Sequence, residues 1–312
     1  MWKYLTDDKY NELLSSFNLV NTTNIKMINK ILYGISNDID ANYEEIIIHK
    51  KNGGLRYLNA PSKNLKSIQR KILKNVLEEK IISNHACAYL KNSSIKDNAK
   101  PHINKKIILK LDIENFFDNV NFNMVYKTCF NETLYPKKLG ILLTNLCVYN
   151  NHLPQGAPTS GFISNLCLRN FDEIVGSFCK SKDISYTRYS DDMTFSGDFN
   201  IKEIISLVNK LLYKNGFRLN KKKIKVVKQS TRQQVTGIVV NRKTNVRKSY
   251  KRKIRQEMYY IKKYGINSHL KRIRVKDKEL YLRELQGKIN FVLQIEKDNV
   301  EFIKYKNQIK KI

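Results

Sequence analysis

Hydrophobic and polar positions follow two periods along the chain, one typical of helices and one typical of strands. In the segment 65–82, Ile68, Ile72 and Val76 fall on one side of an amphipathic helix. A short apolar run such as Ile107–Ile113 is instead typical of a buried strand. The helical period predicts helices over 10–17, 25–33, 65–82, 137–148, 161–179 and 201–213, and helical structure from Tyr250 onward.

Turn residues mark the ends of the predicted strands. The sequence KKNGGLRYLNAPS predicts a hairpin around Asn52–Gly54. The segments 184–189 and 193–196 are predicted strands on either side of a tight turn, and 234–241 is a further predicted strand. Strands and helices mixed in this order predict an α+β body followed by an all-helical lobe.

Basic residues greatly outnumber acidic ones. Lys and Arg total 58 against 28 Asp and Glu, which gives a formal net charge of +30. Such a charge repels itself unless an anionic partner covers it, and nucleic acid is the leading candidate. The alternative is a well-solvated, lysine-rich surface with no partner.

The excess charge is concentrated in the last third of the chain. Residues 201–312 contain 32 Lys and Arg against 8 acids, whereas residues 1–200 contain 26 against 20. This asymmetry predicts a body that performs chemistry and a lobe that grips phosphates. We place the boundary between a catalytic domain, 1–240, and a helical nucleic-acid-binding domain, 241–312.

The cysteines and the N-terminus bear on the cellular compartment. Five cysteines lie in apolar stretches without CxxC spacing, which favours small core residues in a reducing compartment over a thiolate metal site. The N-terminus lacks the basic and apolar segments of a signal peptide, and no apolar run approaches membrane-spanning length. We expect a soluble, cytoplasmic protein that does not contact membranes.

Carboxylates follow two of the predicted strands. Asp112 ends the apolar run that begins at Ile107, and Asp191 and Asp192 are adjacent at a turn between two strands. A carboxylate at the end of a buried strand is costly unless it is neutralised, and adjacent carboxylates repel each other. A bound cation relieves both costs. Taken singly, each acid is also explained by the turn preference of Asp, by capping or by an ion pair.

Nucleotidyl transfer is the chemistry that such carboxylates suit. The reaction uses two divalent metals held by carboxylates. One metal activates the attacking hydroxyl, and the other stabilises the leaving pyrophosphate. The ligands must come from rigid strands that meet in space, and Asp112 and Asp191 each lie at the end of a predicted strand.

Three motifs carry a resemblance to reverse transcriptases. Tyr189–Asp192 (YSDD) resembles the YxDD turn of that family, with Ser190 in place of the more usual Ala. Asp112–Asp118 resembles the first aspartate motif, and Leu153–Ser160 (LPQGAPTS) resembles the LPQGxPxS loop. The resemblance runs from about residue 50 to 237. It implies a right-hand polymerase architecture, with fingers and palm of antiparallel sheet plus helices and a helical basic thumb.

Two further motifs resemble one branch of the family, the bacterial retron reverse transcriptases. Asn98–His102 (NAKPH) matches their NAxxH element, and Val235–Gly237 matches their VTG element. This resemblance implies an RNA-directed DNA polymerase that copies its own structured noncoding RNA. It also implies priming from a guanosine 2′-OH, a branched RNA–DNA product (msDNA), and an anti-phage role with a separate effector protein.

The resemblance assigns roles to individual residues. Asp112, Asp191 and Asp192 are implied ligands of two Mg²⁺ ions, for which Mn²⁺ can substitute, with Asp192 the least direct ligand. Lys223 is the implied proton donor to pyrophosphate. Phe117 is the bulky residue that excludes a ribose 2′-OH. Contacts with the incoming dNTP are further implied at Lys51, Arg56, Ile113, Asn115, Phe116, Gln155 and Gly156, those from Ile113 to Phe116 through backbone N–H groups.

RNA contacts are implied in two places. Asn98 and His102 are expected to organise the region below the fingers or to hold RNA, without a chemical role. In the basic segment 243–274, tyrosines interleave with cations, so rings are available to stack on bases while cations hold phosphates. The alternative is an amphipathic helix with a solvated face. The cations expected to bind RNA are Lys251, Arg252, Lys253 and Arg255.

Three other functions stay open at this point. Another bacterial reverse transcriptase, of phage-exclusion or diversity-generating type, is distinguished by the absence of a retron-like RNA gene beside the coding sequence. A catalytically idle RNA-binding scaffold is disfavoured by the intact acid triplet. A template-independent terminal transferase is distinguished by the template dependence of synthesis.

Overall fold

α-Helices are the most abundant element in the computed structural model, which describes residues 6–49 and 53–312. Several begin at a polar residue whose side chain accepts a hydrogen bond from the first turn, as Asn24 does from Met27. The helices are α1 (Asp7–Ser16), α2 (Ile25–Asn37), α3 (Lys63–Ile72), α4 (Ile95–Ala99), α5 (Phe122–Cys129), α6 (Lys137–Cys147), α7 (Ser160–Cys167), α8 (Arg169–Ser181), α9 (Ile201–Lys214), α10 (Lys248–Tyr264), α11 (Ile266–Ile273), α12 (Lys278–Ile295) and α13 (Val300–Ile309).

Within the described ranges, the strands form one four-stranded sheet and two small hairpins. The first hairpin pairs β1 and β2 antiparallel, with Ile47 opposite Tyr57, which confirms the predicted hairpin. Asn52 of its predicted turn lies outside the described residues. The four-stranded sheet has the order β4-β5-β3-β6. The strands are β1 (Tyr43–His49), β2 (Leu55–Pro61), β3 (Ile107–Asp112), β4 (Ser185–Tyr189), β5 (Asp192–Gly197), β6 (Lys225–Lys228), β7 (Gln234–Val235) and β8 (Ile238–Val239).

Three predicted elements differ from the structure. The predicted helix 161–179 is two helices, because the backbone leaves the helical conformation at Leu168 (φ −95°, ψ 4°). The predicted helix 65–82 ends at Leu77 after a single π-helical turn. The predicted strand 234–241 is the hairpin β7–β8, because Thr236 (φ 45°) and Gly237 (φ 85°) form a tight turn that interrupts it.

The chain divides into two compact units. The first comprises Met1–Ser93, Lys110–Met193 and Asn200–Ile224. The second comprises Ser94–Leu109, Thr194–Phe199 and Lys225–Ile312. The second unit thus includes short segments from the middle of the chain, and its C-terminal part begins at Lys225. The division after residue 240 that the charge pattern suggests stays a prediction.

Each unit has its own apolar core. In the first unit, Leu143, Phe171 and Leu212 are fully or almost fully buried. The core of the second unit consists mainly of residues from its C-terminal helices. Its most deeply buried members include Leu285, Ile289, Val292, Ile295 and Phe302, with Ala99 and Ile108 from the mid-chain segment.

The cysteines behave as small core residues. All five are free thiols, and Cys129, Cys147 and Cys179 are buried. Burial raises the pKa of the Cys147 thiol to about 12, so it stays protonated at neutral pH. Across the described ranges, no helix combines the length and apolar character needed to cross a membrane.

Candidate active site

The two strand ends that carry carboxylates meet within the first unit. Asp112 is the last residue of β3, and Asp191 lies in the turn between β4 and β5. The N–H of Ile113 donates to the Asp191 carbonyl at 3.1 Å, which joins the two ends. The N–H of Asn220 donates to the Asp112 carbonyl at 2.9 Å and ties in a third segment. The backbone therefore holds both carboxylates at one place.

The carboxylates are electrostatically crowded. Desolvation and the nearby Asp112 charge raise the pKa of Asp191 above its usual range. Desolvation, with the charges of Asp191 and Asp112, raises the pKa of Asp192 to about 6. The Nζ of Lys223 donates to Asp112 Oδ2 at 2.8 Å. Desolvation alone would lower the pKa of Lys223, but this bond and the three negative charges raise it, so the lysine stays charged.

These carboxylates fit a divalent cation by charge and composition. Asp112 is buried, and its Oδ1 atom has no hydrogen-bond partner among the described residues. A buried carboxylate oxygen without a donor is costly, and a metal ion removes that cost. Within 6–49 and 53–312, however, no group of three or more His, Cys, Asp or Glu side chains is arranged as a ready metal site. One oxygen of Asp112 is engaged by Lys223 instead.

A buried ion pair supports the turn that carries Asp191. Arg188 is fully buried and donates through Nε and Nη2 to the Asp172 carboxylate, with Nη2 at 2.6 Å from Oδ2. Its Nη1 donates to the Ser190 carbonyl at 2.9 Å and to Asn165 Oδ1 at 3.1 Å. Ser190 has a left-handed backbone (φ 61°), so this bond holds a conformation that the residue would not adopt readily. Sequence reasoning missed this network; an arginine inside an apolar strand beside the turn was the available signal.

A cleft of about 800 Å³ opens above the carboxylates. This volume is within the range of small-molecule sites. Most of the residues predicted to act on a nucleotide line it. They are Arg56, Asp112, Ile113, Asn115, Phe116, Phe117, Gln155, Asp191, Asp192 and Lys223.

The predicted backbone cradle for the triphosphate is smaller than expected. The N–H of Ile113 is engaged by the Asp191 carbonyl, and the N–H of Glu114 donates to the Arg218 carbonyl at 2.9 Å. Strand-end pairing therefore already uses the Ile113 amide, and its contact with the triphosphate stays a prediction. In the described part of the chain, the N–H groups of Asn115 and Phe116 make no such backbone hydrogen bond.

The predicted LPQG loop lies against the β1–β2 hairpin. The N–H of Asn59 donates to the Gln155 carbonyl at 3.0 Å. Gly156 has φ 138°, and a Cβ there would lie 2.8 Å from the Asn59 carbonyl oxygen. This position therefore requires glycine. Gly156 lines a smaller adjoining cavity with Arg56 and Gln155. Lys51 lies outside the described residues.

Two aromatic residues form the wall of the cleft near the carboxylates. Phe117 is half-buried, with its ring centroid 5.4 Å from that of Phe116. Phe116 is buried and packs on Phe217 at 5.8 Å, so one side of the Phe117 ring rests on the core. Tyr89 also lines the cleft, and sequence reasoning did not single it out.

Asn98 and His102 are buried in the second unit. The side chain of Asn98 donates to Thr236 Oγ1 at 3.4 Å, and Thr236 donates in turn to the Ile95 carbonyl. His102 Nδ1 lies 2.6 Å from Ser196 Oγ. The NAxxH segment is therefore joined to the VTG segment and to β5 inside the unit. Burial favours the organising role among the two expected, because a side chain without exposed surface does not reach RNA.

The basic residues predicted on α10 fall into two groups. Lys251 is part-buried and paired with Glu296, and Arg255 donates to both carboxylate oxygens of Glu301 at 2.7 Å. Arg252 and Lys253 are exposed on the same helix. These ion pairs with acids of the same bundle disfavour phosphate contact by Lys251 and Arg255, and the expectation of such contact stays a prediction.

The chain is similar to a known protein family and to several characterised proteins. Residues 48–240 match the family described as Reverse transcriptase (RNA-dependent DNA polymerase). The chain is 28% identical to the Retron Ec86 reverse transcriptase of Escherichia coli over 87% of this chain and 82% of that protein. It is 30% identical to the Retron Ec83 reverse transcriptase of Escherichia coli over 85% of this chain and 87% of that protein.

A more distant likeness is seen among solved structures. Telomerase from Candida albicans, solved with a TWJ fragment of telomeric RNA, aligns over 90% of this chain and 60% of that chain. The TM-score is 0.47 and the identity is 13%.

Proposed function

Because the chain belongs to the reverse transcriptases, and among them to the bacterial retron enzymes, we propose that it copies a structured noncoding RNA into branched msDNA. It is an RNA-directed DNA polymerase, and the predicted α+β right-hand polymerase fold class is confirmed. The observation that supports the proposal best is the meeting of Asp112 and Asp191 in a cleft that also contains Arg56 and Lys223.

The cleft residues have different proposed roles in nucleotidyl transfer. Reverse transcriptase domains use divalent metal ions, and we propose that Asp112, Asp191 and Asp192 hold Mg²⁺. When bound, such ions activate the attacking hydroxyl and stabilise the charge on the leaving pyrophosphate. Arg56 is available for bidentate contact with the triphosphate. Lys223 is charged and close to the carboxylates, which suits a proton donor to pyrophosphate.

The primer in this proposal is an internal guanosine 2′-OH of the folded RNA. Base pairing alone does not deliver an internal hydroxyl to an active site, so RNA structure held by the protein must do so. The excess of basic residues in the last third of the chain, most of which belongs to the second unit, supports a role for that unit's basic helices as the holder. Recognition of this kind rests mainly on the shape and backbone of the RNA. The resemblance to retron enzymes also supports an anti-phage role with a separate effector.

The experiment is synthesis on the native RNA. The protein is purified from its own locus, the bound RNA is sequenced, and that RNA is then used as template with Mg²⁺ and dNTPs. The product is treated with a debranching enzyme that hydrolyses 2′–5′ linkages. We expect the treatment to release DNA from the RNA. DNA joined through a 3′ end, or started from a free primer, would instead favour another class of bacterial reverse transcriptase. Synthesis without template would indicate a terminal transferase, and binding without synthesis would indicate a scaffold.

Replacement of Phe117 by alanine or valine is expected to raise ribonucleotide use relative to deoxyribonucleotide use. The proposed role of the ring is a clash with the ribose 2′-OH, so its loss alters discrimination more than rate. The expected fall in the deoxy-to-ribo ratio of kcat/KM is about tenfold or more. Single-nucleotide incorporation on an annealed primer measures this ratio. A ratio equal to that of the parent would move the gate elsewhere, for example to Phe116.

Replacement of Arg252 and Lys253 by glutamine is expected to weaken RNA binding and to flatten its salt dependence. Removal of one cation–phosphate interaction lowers the slope of log K against log salt by roughly one unit. Lys251→Gln and Arg255→Gln form the matched comparison, because their charges are paired with Glu296 and Glu301. They are expected to lower stability and to leave the slope nearly unchanged. If Arg252→Gln and Lys253→Gln have the same salt-dependence slope as the parent protein, these cations face solvent and do not contact RNA.

Point substitutions, and not truncation, are the appropriate test of whether the second unit holds RNA. Truncation after Asn267 would remove α12 and α13. These helices provide Leu285, Ile289, Val292 and Phe302 to the core of the unit. Loss of initiation after such a truncation would therefore report unfolding, whereas exchange of exposed cations leaves the core intact.

A further inference from the structure

Tyr89 has a backbone conformation that is unusual for a large side chain. Its φ is 61°, in the left-handed region, and its side chain is 51% exposed. A bulky residue adopts this conformation only when its surroundings impose it, and such residues concentrate at functional sites. Because the residue is half exposed, burial does not account for this backbone conformation. The contacts of the side chain are the remaining explanation.

Three contacts place the Tyr89 side chain between separate parts of the active site. Its hydroxyl lies 3.0 Å from Ser190 Oγ, in the turn that carries the catalytic aspartates. Its ring lies against Gly161 at the start of α7, where an added Cβ would be 2.4 Å from the ring's Cγ atom. Its ring edge faces Phe117, with centroids 6.3 Å apart and planes at 73°. One side chain therefore contacts the aspartate turn, the helix after the LPQG loop and the proposed gate.

On the side where Tyr89 lies, the Phe117 ring borders an open cavity. Phe116 supports the Phe117 ring at 5.4 Å and is itself buried. On the side away from Phe116, Tyr89 and Phe117 both line a second cavity of about 350 Å³. Leu73, Pro154 and Phe162 line the same cavity. Tyr89 lines the main cleft as well. Without that ring, the side chain of Phe117 is able to turn away from the nucleotide.

We propose that Tyr89 is the positioning residue that holds Phe117 in place, and thereby determines how strictly the enzyme rejects ribonucleotides. The inference rests on the proposed role of Phe117 as the gate. Tyr89 acts through the ring of Phe117 and not through direct chemistry. Gly161 belongs to the same device, because only a residue without a Cβ leaves space for the Tyr89 ring.

The proposal is tested with variants that separate the ring from the hydroxyl and from the backbone. Tyr89→Asn removes the ring, and asparagine tolerates the left-handed conformation, so the fold is retained. Tyr89→Phe keeps the ring and removes only the hydroxyl. Gly161→Ala keeps the Tyr89 side chain but adds a Cβ that displaces its ring. Tyr213→Ala is the matched control, because this tyrosine of the first unit is 78% exposed and does not line the cleft.

The measurement is the ratio of kcat/KM for dGTP to that for GTP, on an RNA template with an annealed primer. Tyr89→Asn is expected to lower the ratio by about three- to tenfold with Phe117 unchanged, and Gly161→Ala to lower it in the same direction. Tyr89→Phe and Tyr213→Ala are expected to stay within about twofold of the parent. Thermal unfolding of each variant shows whether a change in the ratio accompanies loss of fold.

A double variant distinguishes positioning from an independent contact. If Tyr89 acts through Phe117, then Phe117→Ala combined with Tyr89→Asn has the same ratio as Phe117→Ala alone. Additive losses, or a parental ratio in both Tyr89→Asn and Gly161→Ala, would overturn the proposal. A parental ratio in Phe117→Ala would overturn it too, by removing the gate. In that case DNA synthesis itself continues, so the polymerase assignment stands.

Discussion

Replacement of Asp112 or Asp191 by asparagine is expected to lower DNA synthesis by about 10³-fold or more while leaving RNA binding nearly unchanged. Loss of a metal ligand removes several kcal/mol of charge stabilisation in the transition state, and about 4 kcal/mol corresponds to that factor. Single-turnover extension of an annealed primer measures the loss. Substantial activity in either variant would contradict the site assignment.

Metal binding provides a second measurement for the same variants. A ligand that binds only the folded state raises its stability, so Mg²⁺ or Mn²⁺ is expected to raise the melting temperature of the parent. The rise should be smaller in Asp112→Asn and Asp191→Asn. Asp183→Asn is the matched control, because Asp183 lies in a turn outside the cleft with φ 54°, a conformation that asparagine also adopts. It should keep both the activity and the metal-dependent rise.

Replacement of Gly140 by alanine is expected to lower the free energy of unfolding by about 2–4 kcal/mol, since overpacking of a tight core costs roughly 1–3 kcal/mol and sometimes more. Gly140 is buried in α6, and a Cβ there would lie 2.1 Å from the Phe130 carbonyl oxygen and 3.0 Å from the Tyr126 ring. A backbone oxygen has little freedom to withdraw, so α6 must shift as a whole. Chemical denaturation measures the change.

Gly34 is the matched comparison for Gly140. It is exposed within α2, and an added Cβ meets no atom within 4 Å. Alanine is the better helix former, so Gly34→Ala is expected to raise the free energy of unfolding by about 0.5–1 kcal/mol. The same chemical change should thus have opposite signs in two helices of one unit. Equal effects at both positions would mean that α6 moves away from Phe130 without difficulty.

The tertiary structure also separates residues that the sequence placed together. Four cations within five positions of α10 were predicted to bind RNA, yet two of them are paired with acids. Lys251 pairs with Glu296, between α12 and α13, and Arg255 pairs with Glu301 of α13. Helical spacing shows which side chains share a face, but it does not show which distant acids meet that face. The charge pattern therefore predicts a basic helix correctly and does not identify which of its cations are paired with acids.

By itself, the sequence determined the reaction class, and it predicted the carboxylates on which that reaction would depend. Asp112, Asp191 and Asp192 are recognisable because they lie in motifs that resemble those of reverse transcriptases, and carboxylates at rigid strand ends suit two-metal nucleotidyl transfer. It also determined most helices and the first hairpin, because hydrophobic period and turn residues are local properties.

Only the tertiary structure decided which residues support that chemistry. Arg188 and Asp172 neutralise each other inside the first unit, and Tyr89 lies between Gly161, Phe117 and Ser190. It also decided that the Ile113 amide joins two strand ends. Each of these facts is a contact between residues far apart in the chain. Local pattern does not encode such contacts, because they follow from how the packed elements meet.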